Sequence, residues 1–408
     1  MIARRWLLAA AALLPGAALA CSSILGFKDL TPLDAGAEDA NGDVATADAA
    51  PDGASDAPPA DAGGETTADT GPEGGGCDPA VPVGAPTTDD TPDGGDGGVD
   101  IYFAAQTLDL GQSTPGQFNP NDPLGFDLDG VCTCIDDGGP SCTSASTNCD
   151  TAGGRDEGAN KMLAALGAAD PGLSQQSLEA RIAKGDFGFV IHVYGYNGQA
   201  NDENVDVEYF PSPGTEAVNG DAPFDGGADP ATVWDVTAGS VLDGDPGTWV
   251  SKYQDLQAYV NNRVLVSHLA TFPLLVLPDT GGNANPITFQ LAHLVLQATL
   301  TNTAGSWSLQ GQVGARWSTS DALYSLHTLA DPSDNSLCGN DLLYQSVAGF
   351  LCGAADIASS PANDGQGKPC DGLSVGLGFT AASAHIGNAF DPVIVPDNCP
   401  DGWAPACP

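Results

Sequence analysis

From Trp307 to Trp317 the chain alternates strictly. Trp307, Leu309, Val313, Ala315 and Trp317 fall on one parity, and Ser308, Gln310, Gln312 and Arg316 on the other. Side chains of a strand point to opposite faces in turn, so this pattern predicts a strand with one buried face. Thr288–Leu300 is a second apolar-rich run. The stretch Asn302-Thr303-Ala304-Gly305-Ser306 between the two reads as a hairpin loop. Further β-forming runs are Ile101–Phe103, Phe187–Tyr196, Val205–Tyr209, Tyr259–Leu269, Phe272–Leu277 and Leu373–Phe379, with Val233 in a shorter stretch. Val264–Pro278 is apolar but holds His268 and Pro273, so it reads as β structure and not as a membrane span.

Helical spacing is scarcer. Asp156–Ala168 places Met162, Leu163 and Leu166 on one face. Ser174–Lys184 starts at a Ser suited to capping, sets Leu178 and Ile182 four apart, and stops at Gly185. A short helix opening at Ser320 or Asp321 and running through Leu329, and another over Leu342–Ala358, complete the set.

The chain start has a different pattern. Arg4 and Arg5 precede the apolar run Trp6–Leu14, and Pro15-Gly16 and small residues lead to Leu19-Ala20-Cys21. This is the layout of a secretory signal. The Leu-Ala-Cys ending resembles a bacterial lipobox. That resemblance implies removal of residues 1–20, lipid on Cys21 and, with Ser22 next, sorting to the outer membrane. Several acyl chains on one residue anchor stably, whereas one binds only marginally.

Composition sets the character of the segment behind the anchor. Asp29–Asp100 holds 18 acidic residues and no Lys, Arg or aromatic residue. Such a segment cannot bury a core, so residues 21–100 are expected to be a lipidated N-terminus and a disordered linker. A flexible tether of about 50 residues spans roughly 40 Å, enough to hold a domain clear of a lipid surface. Apart from Arg4 and Arg5, nine basic residues face 53 acidic ones over the whole chain. That excludes nucleic acid as a partner, because it needs a basic face. Setting Cys21 aside leaves ten cysteines: Cys77, Cys132, Cys134, Cys142, Cys149, Cys338, Cys352, Cys370, Cys399 and Cys407. An even set in an exported chain predicts five disulfides, with Cys77 pinning the linker end to the domain. Cys132 and Cys134 are too close to join each other. If the four clustered cysteines pair locally, two connectivities remain.

Candidate chemistry is thin. The chain has no Gly-x-Ser-x-Gly elbow, no His-Glu-x-x-His and no phosphate-cradling loop. Asp127-Leu128-Asp129-Gly130 offers hard oxygen ligands at a turn, with Asp136 or Asp137 nearby, and makes calcium the one cofactor expectation. Asn204, Asp206 and Glu208 share a strand face. They resemble the Glu-x-Asp-x-Glu strand of laminarinase-type glycoside hydrolases, which have a concanavalin-like jelly roll. The resemblance makes Glu208 an acid/base and Asp206 its neighbour, but the nucleophile position is Asn204, and retaining chemistry needs two carboxylates. Trp234, Tyr194, Tyr196, Trp249 and Tyr253 are the aromatics considered for stacking on sugars. His192, His268 and His293 lie in strand-like runs and read as structural.

The lipobox followed by SSILGF (22–27), the Ala/Asp/Gly/Pro linker, and the segments GFDLDGVCTC (125–134), GYNG (195–198) and CDGLSVGLGF (370–379) resemble surface lipoproteins of myxobacteria and their relatives. The resemblance implies location and brings no activity. The expected fold over 101–408 is mainly β, an antiparallel sandwich of jelly-roll type with a few packed helices and disulfides. The expected function is a non-catalytic envelope module binding an extracellular ligand such as a glycan. The alternatives are an envelope structural or assembly protein, or a divergent glycoside hydrolase built on Asp206 and Glu208.

Overall fold

The computed structural model describes residues 77–88, 90, 98–114, 116–135, 138–144, 147–169, 171–215, 232–276, 287–328, 337–338, 342–390, 399 and 403–407. The expected signal segment, Cys21, most of the expected linker, Asp136 and Asp137 lie outside them.

Eight long strands carry the fold: β1 (Val99–Asp109), β2 (Gly188–Tyr196), β3 (Asp202–Ser212), β4 (Tyr253–Asn261), β5 (Val264–Val276), β6 (Ile287–Thr303), β7 (Ser306–Ser318) and β8 (Gly372–Ala389). Each pairs antiparallel with the next in sequence, and β8 returns to pair with β1, for example Phe103 with Ser383. The result is a closed eight-stranded up-and-down barrel. The sheet is mostly β and antiparallel as expected, but it is not a sandwich or jelly roll. One sheet closed on itself leaves no exposed edge, whereas two stacked sheets would leave four.

Eight strands make an interior just wide enough for side chains to fill. Phe103, Ile191, Val207, Leu265, Leu296 and Leu309 are among those that fill it. A void of about 20 Å³ remains among Leu108, Phe189, Tyr209, Phe272, Leu294 and Phe379, with other apolar side chains around it. That is about the room one water needs. Among the described residues the barrel interior is therefore a packed core.

Two tight turns set the register of neighbouring hairpins. Asn262 and Arg263 join β4 to β5 with φ of 51° and 66°, and Ala304 and Gly305 join β6 to β7 with φ of 54° and 94°. Paired left-handed residues match the twist of the strands they connect.

The three longer connections decorate the barrel. Between β1 and β2 come a cysteine-rich loop, α1 (Gly158–Ala169) and α2 (Gln175–Ile182). The Ser174 hydroxyl caps α2 by accepting from the Ser177 N–H, and Gly185 follows with φ of 73°. Helix α1 packs on β8 and α2 on β1. Between β3 and β4 the chain lays a short strand, Val233–Val236, parallel to the end of β8. Trp234 and Val236 there cover Val190, Phe210 and Ile386 on the outer wall in a second, smaller core. Between β7 and β8 lie α3 (Thr319–Ser325) and α4 (Leu342–Gly353). Helix α3 is capped by Ser318, ahead of the expected Ser320 or Asp321.

Five disulfides staple the decorations: Cys77–Cys132, Cys134–Cys149, Cys142–Cys370, Cys338–Cys399 and Cys352–Cys407. Only one pair forms within the clustered four. Cys132 reaches back to Cys77, and Cys142 reaches across to Cys370 just before β8. Residues 77–88 lie along the barrel. The Val83 N–H donates to the Gln297 side chain, and the Tyr259 hydroxyl and Asn261 amide donate to the carbonyls of Val83 and Gly84. Residues 76–408 form one compact unit.

Candidate functional site

The outer wall over β1–β4 carries an ordered row. Register places Tyr102 opposite His192, His192 opposite Glu208, and Glu208 opposite Gln254. Residues directly opposite share a face, and the inward parity is taken by Phe103, Ile191, Val207 and Tyr209. The His192 ring is stacked between Tyr102, with centroids 3.9 Å apart, and Tyr194, 4.7 Å apart. Its Nδ1 lies 2.9 Å from Glu208 Oε2 and its Nε2 lies 2.7 Å from Asp100 Oδ1. Asp100 is 71% exposed.

Glu208 is buried, and its other oxygen accepts from Gln254 Nε2 at 3.2 Å and from the Ser251 N–H at 3.4 Å. Both of its oxygens are thus engaged, which suits positioning better than proton transfer. Asp206 sits one alternate place along, opposite Tyr194, and is half-buried. Burial, then Glu208 and Asp255, raise its pKa above the ordinary value. Asn204 is exposed on the same strand. Burial, then the Glu208, Asp206 and Asp100 charges, push the Tyr194 phenol up to about 12. Burial raises Tyr102 as well. Both phenols therefore remain hydrogen-bond donors at neutral pH.

Next to this row, Asp255 stands opposite the inward-facing Val207. Asp255 Oδ2 on β4 accepts from Ser267 Oγ at 2.8 Å and from the His268 N–H at 2.6 Å on β5. His268 and then His293 on β6 lead into a cavity of about 390 Å³. Phe126, Asp127, Arg316 and Pro82 close its other sides. Arg316 is 1% exposed. Its guanidinium donates to Asp364 through Nη1 at 2.9 Å and Nη2 at 2.6 Å, and to the carbonyls of Ala358 and Leu128. Burial, then the Arg316 charge, lower the pKa of His293. The imidazole is therefore neutral at pH 7.

Asp127 also belongs to an acidic cluster. Asp127, Asp129 and Asp156 each place one carboxylate oxygen within 4.8 Å of the others. Asp156 and Glu157 directly precede α1, where the helix N-terminus favours negative charge. The carboxylates accept from backbone N–H groups: Leu128 on Asp156, Val131 on Asp129, Gly130 on Asp127 and Thr133 on Asp150. Burial dominates their titration. It pushes Asp150 up to about 7, and holds Asp156 well above its ordinary value with help from Asp129, Asp356 and Asp150. Asp127, Asp129 and Asp356 are raised too, each by burial first. The trio has the donor set that a hard divalent cation takes.

Of the aromatics considered for sugars, only Tyr194 stands in this row. Trp234 and Tyr196 are buried, Tyr253 packs edge-on to Phe272, and Trp249 donates to the Gly387 carbonyl. Sequence reasoning read His192, His268 and His293 as structural and passed over Tyr102 and Arg316. The outward parity of His192 and Tyr194 within FGFVIHVYGY was the available signal.

No family profile, curated protein or solved structure matches the chain.

Proposed function

We propose that this chain is a lipid-anchored envelope protein, held at the outer membrane through Cys21, whose barrel binds an extracellular glycan on its outer wall. The anchor rests on the Leu19-Ala20-Cys21 motif. It is supported by the pairing of the other ten cysteines with one another. The observation that carries the binding reading is the cavity of about 390 Å³ lined by His268 and His293. Ligand pockets commonly fall between about 300 and 1,000 Å³. Its lining combines imidazoles, a carboxylate and a guanidinium with the apolar Phe126, Leu128 and Pro82. A sugar presents the matching mixture of hydroxyls and C–H faces. The row beside it adds Asp206, Asp100 and the two tyrosines.

Hydrolysis is not part of this reading, because His192, Gln254 and Ser251 already hold both oxygens of Glu208. A glycan array probed with the chain from Cys77 onward, under oxidising conditions, tests the proposal. Binding of a saccharide class, weakened by Tyr194→Ala and Asp206→Ala, supports it. An empty array together with capture of an envelope protein in a pull-down replaces it with the assembly role.

A further inference from the structure

We infer that His268 and His293 bind a divalent transition-metal ion at the mouth of the wall cavity. The inference does not rest on the glycan reading, and both use the same cavity.

The two residues are diagonal neighbours on β5 and β6. His268 is opposite Val295, and the constant register of the pair puts His293 one alternate place along. Diagonal positions of an antiparallel pair lie about 7–8 Å apart and are within reach of long side chains. Both residues are exposed, and both line the one cavity.

His293 is where β6 is irregular. Its φ is 49°, and the register with β7 shifts between Ala292 and Val295. A bulge adds a residue and re-aims a side chain, and left-handed backbone is costly for a residue other than Gly or Asn. Here the bulge turns His293 to the outer side, while Leu294 points into the barrel.

The imidazoles are also unengaged. Among the described residues neither His268 nor His293 has a side-chain hydrogen bond. By contrast, both nitrogens of His192 are hydrogen-bonded, and His327 Nδ1 meets the Tyr324 carbonyl. Asp364 meets the Arg316 guanidinium through two contacts and offsets part of its charge. Two imidazoles, with water completing the shell, suit zinc, copper or nickel, and not calcium.

Isothermal titration of the chelator-treated chain with zinc chloride tests this. One equivalent is expected to bind. His268→Ala and His293→Ala are each expected to weaken binding by about tenfold or more, and the double variant to abolish it. Both residues are exposed, so unchanged melting temperatures will show that the variants fold. His327→Ala is the control and leaves binding intact. Excess calcium does not displace the zinc. Parent-like zinc binding in the double variant, no uptake by the parent at millimolar zinc, or displacement by calcium each overturns the inference.

Discussion

His192 and Glu208 face each other across β2 and β3 with 2.9 Å between Nδ1 and Oε2, and Glu208 turns its second oxygen to Gln254 and Ser251. One buried carboxylate thus ties a barrel strand pair to the chain entering β4. Glu208→Ala leaves an imidazole and a backbone N–H without their acceptor. It is expected to lower stability by about 2–3 kcal/mol in urea denaturation, with Glu208→Gln losing less. Parent stability in Glu208→Ala would contradict the positioning role.

Buried Arg316 pairs with half-buried Asp364, and Asp364→Ala strands a guanidinium that is 1% exposed. Breaking such a pair from one side costs about 3–5 kcal/mol, whereas replacing both partners with apolar groups costs less. Asp364→Ala is therefore expected to melt well below Arg316→Met/Asp364→Leu. Equal melting temperatures would contradict it.

The acidic cluster predicts an unusual pH dependence. In the fold burial pushes Asp150 up to about 7 and also raises Asp156 and Asp356. Unfolded aspartates titrate near about 3.9. Between these values the folded chain binds more protons than the unfolded one, so stability falls as pH rises. With EDTA present, the melting temperature is expected to be higher at pH 5 than at pH 7.5. A rise over the same interval would contradict the assignment.

Calcium acts on the same carboxylates in the opposite sense. At pH 7.5, millimolar calcium is expected to raise the melting temperature of the parent, and Asp129→Asn or Asp156→Asn to remove the rise. No shift in the parent would exclude calcium from the Asp127, Asp129 and Asp156 trio.

Arg263 sits at φ of 66° in the β4–β5 turn, a position where Gly costs nothing. Arg263→Gly is expected to stabilise by about 1 kcal/mol, read as a higher melting temperature. A lower one would mean that the Arg263 side chain holds the turn.

The strands were legible because their apolar positions repeat every two residues, as in Trp307–Trp317. Ser174 and Gly185 marked α2 because caps are local. Barrel closure was not legible. It depends on β1 meeting β8, with Thr107 bonded to Thr380 across 273 residues, and alternation looks the same in a sandwich and a barrel. The β4–β5 turn was hidden because Arg263 stands where Gly would have signalled it. Asp127 and Asp129 were visible through their turn. Asp156 was not, because the fold alone brings it beside them. The cysteine cluster opened outward to Cys77 and Cys370 because its loop is fastened to the barrel and not to itself.

The most direct test of glycan binding on the outer wall is a nuclear magnetic resonance titration of the domain with the strongest saccharide from the array. The account predicts shift changes at Tyr194, Asp206, His268 and His293, absent in the Tyr194→Ala/Asp206→Ala variant. Changes confined to α3 and α4 around Trp403, or none at saturating saccharide, would contradict it.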